Sequence, residues 1–397
     1  MSFFSSAKEI PPDPIFGLNQ EFKQDPRANK VDLMVGVFRD KDLLCTQMEC
    51  VKKAALSVRS KDLSPNYLPF LGDEEYLDLS GELLFGKERY QNNKPRIVAS
   101  QGIGGTGALY NGGLVLQKLG YKKIWVPNPT WANHNQIFSF CGFDIDTYPY
   151  FDISNGKFQF DQLLDKLNQV EKGDVVLLHT CCHNPSGRDP SKQQWREISQ
   201  VIKKREAIAF FDTAYQGFKK SVDKDVDPIR LFLDEGHEFL TTQSFSKNFT
   251  LYNERTSCLF IISNDGTISN RLASSVKYVI RASYSNPPSF GPSVVKTILG
   301  DRNLKSEWLT ELELSRNRLN TQRELLVNRL SSEISSRNWD SLRLSCGMFL
   351  FIGLDPAIVL KLRDKYAIYM TGQGRINVSG LNDKNINYVV ESIARAI

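Results

Sequence analysis

Lys247 stands in the run QSFSKNFTLYNER, residues 243–255, with Ser244 and Ser246 before it and Arg255 eight positions after it. A lysine on a solvated surface needs no such company. A lysine that attacks a carbonyl at neutral pH must be neutral, which requires a depressed pKa. Asp212 ends the apolar run AIAFFD, and Tyr215 follows it in TAYQGF. A carboxylate there reads either as a turn cap or as the partner of a buried cation. Asn184 lies in HTCCHNPSG directly after the run DVVLLH, where Asn-Pro and Ser-Gly are also turn formers. Trp131, in NPTWANH, occupies a loop rather than an apolar run, which is an odd place to bury an indole.

A glycine-rich segment, QGIGGTGALYNGG, follows the apolar run RIVAS, and Gly102, Gly104 and Gly107 match G-x-G-x-x-G. A dinucleotide site would also need an acidic residue about 20 positions on, to hold a ribose hydroxyl. The next run, KKIWVPNPTW, contains none, which counts against a nicotinamide-dependent oxidoreductase. Two readings remain: a tight turn, or backbone amides at a helix start that approach a phosphate. In the second, the amides of Gly105 and Thr106 would join Ser244, Ser246 and Arg255 in one phosphate cradle beside Lys247. An aldehyde cofactor with a phosphate and a ring nitrogen would use the cradle, Lys247 and Asp212 together. Pyridoxal 5'-phosphate is such a molecule.

These residues need elements to position them. From about residue 95 to 265, short apolar runs alternate with helix-length amphipathic segments. RIVAS, KIWVP, DVVLLH, AIAFFD, FLTTQ and CLFIIS read as strands, and DPSKQQWREISQVIKKRE reads as a helix with Asp189 and Pro190 as start signals. This alternation predicts an α/β fold with a mostly parallel sheet covered by helices, whose ligands sit at the carboxyl ends of the strands. A long helical stretch at about 302–336, a strand in GMFLFIGL, a helix in PAIVLKLRDKY and the extended IYMTGQGRINVSG predict a smaller α+β unit.

Composition narrows the function classes. The net charge of +5 is scattered without a block of like charge, which gives no support to nucleic-acid or membrane-surface binding. No apolar run approaches membrane-spanning length, and the N-terminal stretch resembles neither a signal nor a transit peptide. The seven cysteines form no CxxC pair, and together with apolar surroundings they predict reduced, buried thiols in the cytoplasm. His134, His179 and His183 belong to different loops with no acidic cluster, so no metal is expected. The absence of Gly-x-Ser-x-Gly argues against a serine hydrolase.

Taken in order, GGTGA, NPTWANH, HNPSG, FDTAYQGF, QSFSKNFTLYNER, SNPP and GRINVSG resemble the motifs of the aspartate aminotransferases, in the class I family of pyridoxal-phosphate enzymes. The resemblance runs from PPDPIFGLNQ to GRINVSG, nearly the whole chain. It implies the fold type I transferase architecture: a large cofactor domain over 41–312, a small domain from 12–40 and 313–397, and an N-terminal arm over 1–11. It implies that Lys247 carries the cofactor as an internal aldimine and performs the 1,3-proton shift, and that Asp212 keeps the ring nitrogen protonated. Tyr215 and Asn184 would bond the phenolic oxygen, Trp131 would stack on the ring, and His134 would support Asp212. Gly105, Thr106, Ser244, Ser246 and Arg255 match the phosphate site, with Tyr67 reaching in from the neighbouring subunit of a homodimer. Arg375 matches the residue for the substrate α-carboxylate, aided by Gly36 and Asn184. Arg281, again from the neighbour, matches the residue for the distal carboxylate of a dicarboxylic amino acid or 2-oxo acid. The implied reaction moves an amino group between L-aspartate and 2-oxoglutarate; an aromatic aminotransferase on the same scaffold is the alternative. Ser186, Met34, Phe38, Thr256 and Ser257 depart from the usual residues, and none removes a named catalytic group.

Overall fold

The computed structural model describes residues 2–9, 14–61 and 64–397. Met1, Ile10 and Pro11 of the expected arm, and the first residues of the expected small domain, Pro12 and Asp13, lie outside the described residues.

The apolar runs form one seven-stranded sheet. Its strands are β1 (Ile97–Ile103), β2 (Lys123–Asn128), β3 (Asp144–Pro149), β4 (Val175–His179), β5 (Ile208–Thr213), β6 (Phe239–Ser244) and β7 (Thr256–Ile262). They lie in the order β1-β7-β6-β5-β4-β2-β3. All neighbours are parallel except β7, which runs antiparallel to both β1 and β6. The strand β3, DIDTYP, was not anticipated: it is an edge strand, half in solvent, and its polar residues hide the pattern.

Alternate residues along the central strands enter two cores. Leu177, Phe210 and Leu259 face the helices Gly104–Lys118 and Gly266–Ser283, and that first helix lies so close that a Cβ on Gly112 would come within 2.5 Å of the Phe210 ring. Val176, Leu178, Phe211 and Phe260 face the other way, into a core that continues without a break through Leu326 and Val327 of the long helix Arg302–Glu333 to Leu350 and Ile376.

The helix expected to start at Asp189–Pro190 runs Lys192–Lys204 instead, with Ser191 and Gln194 forming a capping box. Asp189 is already committed: its carboxylate accepts the backbone N–H groups of Cys182 and His183, at 2.9 Å each, and pairs with Lys219 at 2.8 Å. Of the seven free thiols, Cys45 is exposed and Cys346 half-buried, so burial extends to five and not to all.

Both chain ends meet beyond the sheet. Val31–Asp32 pairs in parallel with Ile368–Tyr369, and Phe349–Phe351 pairs antiparallel with Arg375–Asn377. The stretch from Leu33 to Arg39 is thereby laid as a strap alongside Arg375. No helix among the described residues is long and apolar enough to cross a membrane.

Candidate active site

A cavity of about 470 Å³ opens at the carboxyl ends of β4, β5 and β6, where the strands give way to loops. It is large enough for a cofactor-sized molecule. Asp212 enters it from β5, Lys247 from the turn after β6, and Asn184 from the loop after β4.

One corner is built for an anion. Gly104 starts its helix at φ +65°, and its N–H donates to the carbonyl of Arg255 at 2.9 Å. A Cβ there would lie 2.2 Å from an Arg255 guanidinium nitrogen, so the guanidinium rests directly on the helix start. Gly105 faces Ser244, whose hydroxyl donates to that of Ser246 at 3.2 Å. Unpaired N–H groups, the positive end of the helix, two hydroxyls and a guanidinium thus share one wall with Thr106.

Asp212 is 8% exposed, and a charge that deep needs support. Thr242 donates to Oδ1 at 3.2 Å, and His134 Nε2 meets Oδ2 at 3.1 Å. The backbone N–H of Asn184 donates to His179 Nδ1 at 3.3 Å, and this bond orders a chain of donors. That leaves the proton on His179 Nε2, which donates to the Thr130 hydroxyl at 3.1 Å. Thr130 in turn donates to His134 Nδ1 at 2.8 Å, leaving His134 Nε2–H aimed at Asp212. The chain therefore ends on the carboxylate with a donor. Burial opposes the charge on Asp212, but the His134 bond, with His179 and Lys247 nearby, overrides it and keeps the carboxyl below the ordinary aspartate range. Burial keeps His179 neutral, with its pKa pushed down to about 3.

Lys247 Nζ lies 5.1 Å from the centre of the Tyr215 ring. Desolvation pulls its pKa below the usual lysine value; the Asp212 charge works against this and Arg255 assists it. Burial pushes the Tyr215 phenol well above its ordinary value, so it stays a donor.

The remaining wall holds Arg375, 5% exposed. Its guanidinium donates to Asn184 Oδ1 at 3.2 Å and to the Met34 carbonyl at 2.6 Å, over the Phe349 ring at 4.3 Å. Gly36 of the strap lines the cavity beside it. Trp131 lines it too, edge-on to His134.

Twelve of the fifteen expected site residues line this one cavity, and His134 stands behind Asp212. Tyr67 and Arg281 do not line it: Tyr67 is 89% exposed and Arg281 lies on the surface over Phe70. Their two segments are tied together where Asn286 donates to the Leu68 carbonyl at 2.7 Å. Thr130 was not anticipated, and His179 was weighed only as a metal ligand. The three histidines come together after all; five of their six ring nitrogens serve Asp212, Thr130, Ser186 and the Asn184 amide, and His183 Nε2 is buried without a hydrogen-bond partner among the described residues.

The family model for aminotransferases of class I and II matches residues 28–393. The chain belongs to that family. An aspartate aminotransferase of Haemophilus influenzae is 38% identical over 397 residues, covering 99% of this chain and 100% of that one. An aromatic-amino-acid aminotransferase of Escherichia coli is also 38% identical, covering 96% and 97%. Among solved structures, an aromatic-amino-acid aminotransferase of Burkholderia pseudomallei, covalently bound to pyridoxal phosphate, superposes with a TM-score of 0.97 at 38% identity over the full length of both chains. The cytoplasmic aspartate aminotransferase of Saccharomyces cerevisiae superposes at 0.95 with 32% identity, over 99% and 98%. The family's mostly parallel α/β sheet is the one found here.

Proposed function

We propose that this chain is a pyridoxal-phosphate-dependent aminotransferase that moves the amino group between L-aspartate and 2-oxoglutarate, giving oxaloacetate and L-glutamate. The observation that carries the reading is the convergence of Lys247, Asp212, Arg255 and Arg375 on one cavity. The residues present fit the cofactor: a lysine of depressed pKa, a buried carboxylate kept ionised, and a separate anion corner at a helix start. Gly105, Thr106, Ser244, Ser246 and Arg255 would hold its phosphate, Asp212 its ring nitrogen, Tyr215 and Asn184 its phenolic oxygen, and Trp131 its ring face. When bound, the cofactor supplies an electron sink for the pair left when a proton leaves the substrate's α-carbon.

The protein's own part follows from its charges. Desolvation lowers the Lys247 pKa and so favours its neutral amine; Nζ would hold the cofactor through its aldehyde carbon and would carry the proton that leaves the amino acid's α-carbon. Asp212, fixed by His134, keeps a cation beside it charged. Arg375 binds the α-carboxylate with a planar fork that a lysine lacks, and Gly36 gives the carboxylate room. The segments 12–40 and 313–397 act as a small domain, whose closure over the cavity excludes water.

Tyr67 and Arg281 serve the neighbouring subunit of a homodimer. Both are exposed, both stand off their own cavity, and their segments are bound to each other. Arg281 then receives the distal carboxylate of the dicarboxylic substrate. The free thiols favour a reducing compartment, the cytoplasm. An aromatic-amino-acid specificity is the second reading, favoured by the similarity to the Burkholderia pseudomallei enzyme. Comparing kcat/KM for aspartate and phenylalanine, with 2-oxoglutarate as acceptor, separates the two. Arg281→Leu should cost aspartate turnover about a hundredfold or more and phenylalanine turnover little, as expected when a desolvated charge loses its partner. Equal losses would refute the assignment of Arg281.

A further inference from the structure

Arg375 and Asn377 lie two positions apart on one strand, so both side chains point to the same side, toward the strap, while Ile376 enters the core. Arg375 takes the Met34 carbonyl. Asn377, 2% exposed, spends both amide hydrogens on the strap: Nδ2 donates to the Val35 carbonyl at 2.6 Å and to the Val37 carbonyl at 2.8 Å. These are the two carbonyls that flank Gly36. Its own oxygen is taken by the backbone N–H of Ser379 at 3.0 Å, and its backbone N–H donates to the Leu33 carbonyl at 2.8 Å. The Ser379 hydroxyl lies 2.8 Å from Asn377 Oδ1 and 3.1 Å from Val37 O, and the Tyr252 hydroxyl accepts the Phe38 N–H at 2.8 Å.

The pattern leaves a particular gap. Among the described residues, neither the Gly36 nor the Val37 N–H donates to a protein acceptor, although their neighbours along the strap are bonded. Both residues line the cavity. Unbonded backbone donors beside a guanidinium form a recess for a carboxylate.

We infer that Asn377 is a positioning residue for the substrate's α-carboxylate: by clamping the carbonyls on either side of Gly36, it turns the Gly36 and Val37 amides toward the group that Arg375 binds. The inference rests on the proposed function, in that it takes Arg375 as the α-carboxylate site. Asn377 touches no substrate itself. It sets the shape of the strap that does.

The test is calorimetric binding of succinate to the cofactor-loaded protein, with kcat and KM for aspartate measured alongside. Asn377→Ala should weaken succinate binding about tenfold, the effect of one buried hydrogen bond to a charged group, and raise KM more than it lowers kcat. Ser379→Ala, which removes the hydroxyl that bonds Asn377 Oδ1 at 2.8 Å and reaches the Val37 carbonyl at 3.1 Å but leaves both Asn377 bonds to the strap, should weaken binding about two- to threefold in the same direction. The cofactor's absorbance should match the wild type in both, because the anion corner and Lys247 are untouched. Succinate binding unchanged in Asn377→Ala would overturn the inference. Should that variant fail to fold, wild-type binding in Ser379→Ala would overturn it instead. A wild-type protein that binds no succinate would instead sink the dicarboxylate reading.

Discussion

Thr130→Val is the most informative single change, because valine keeps the shape of threonine and removes only the hydroxyl. The hydroxyl accepts from His179 at 3.1 Å and donates to His134 at 2.8 Å, so both bonds are lost together. Each is worth about 1 kcal/mol net, and each imidazole nitrogen left unpaired in a dry interior adds about 1–3 kcal/mol. Partial re-pairing puts the expected loss of folding stability at about 2–4 kcal/mol. The effect on function is separate. With no donor at Nδ1, only the Asp212 carboxylate holds the His134 proton on Nε2, so the ring is less firmly fixed and its bond to Asp212 weakens. A hydrogen bond to a charged group contributes about 1.5–3 kcal/mol. Losing half of that lowers kcat roughly tenfold, since a tenfold change is about 1.4 kcal/mol. The acid limb of the kcat–pH profile should also move to higher pH, because the Asp212 carboxylate is less well held. Thermal unfolding and kcat between pH 5 and 9 are the two measurements. A lower melting temperature with an unchanged kcat–pH profile would refute the reasoning, for the chain would then carry the fold alone.

Two other outcomes follow from the same geometry. Gly104→Ala forces a left-handed backbone onto a side chain and drives its Cβ into the Arg255 guanidinium, 2.2 Å away. Cofactor affinity should fall about tenfold or more, by fluorescence titration with pyridoxal phosphate, at a stability loss of about 1–3 kcal/mol; an unchanged affinity would remove Arg255 from the anion corner. Burial of His179 also gives a pH dependence. The unfolded chain protonates this imidazole near 6.5, while the folded chain resists until about 3. Between those values the unfolded state binds the extra proton, so stability rises with pH across that window, by up to about 1.4 kcal/mol per pH unit. Urea unfolding from pH 3 to 7 measures it, and in His179→Asn the slope should be shallower by about one proton.

Much of this was legible in the chain, for reasons that differ from residue to residue. The five inner strands are largely buried, and they and the edge strand β1 carry short apolar runs, whereas β3, at the opposite edge, is half in solvent and reads as loop. Lys247, Asp212 and the glycine turn carry their chemistry in their neighbours. Arg375 and Arg281 do not: Arg375 looks like an ordinary surface arginine until the strap is laid beside it, Arg281 lies on the surface, and only the family resemblance singled them out. The Thr130–His179 link was hidden because it is made by strand adjacency. Ile124 pairs with Val175, and His179 with Asp212, so three loops far apart in sequence start side by side. Aligning the ends of the expected parallel strands would have exposed it. Asn377 lay in plain view inside GRINVSG, but nothing local tells a strand asparagine that its partners are carbonyls more than 300 residues upstream.

The central claim is that Lys247 is the amine that captures the cofactor. The direct measurement is to load the protein with pyridoxal phosphate, reduce it with borohydride, digest it and locate the modified residue by mass spectrometry. The account predicts one stable adduct per chain, on Lys247, and none in Lys247→Ala. An adduct on any other lysine, or wild-type protein that emerges unmodified, would contradict it.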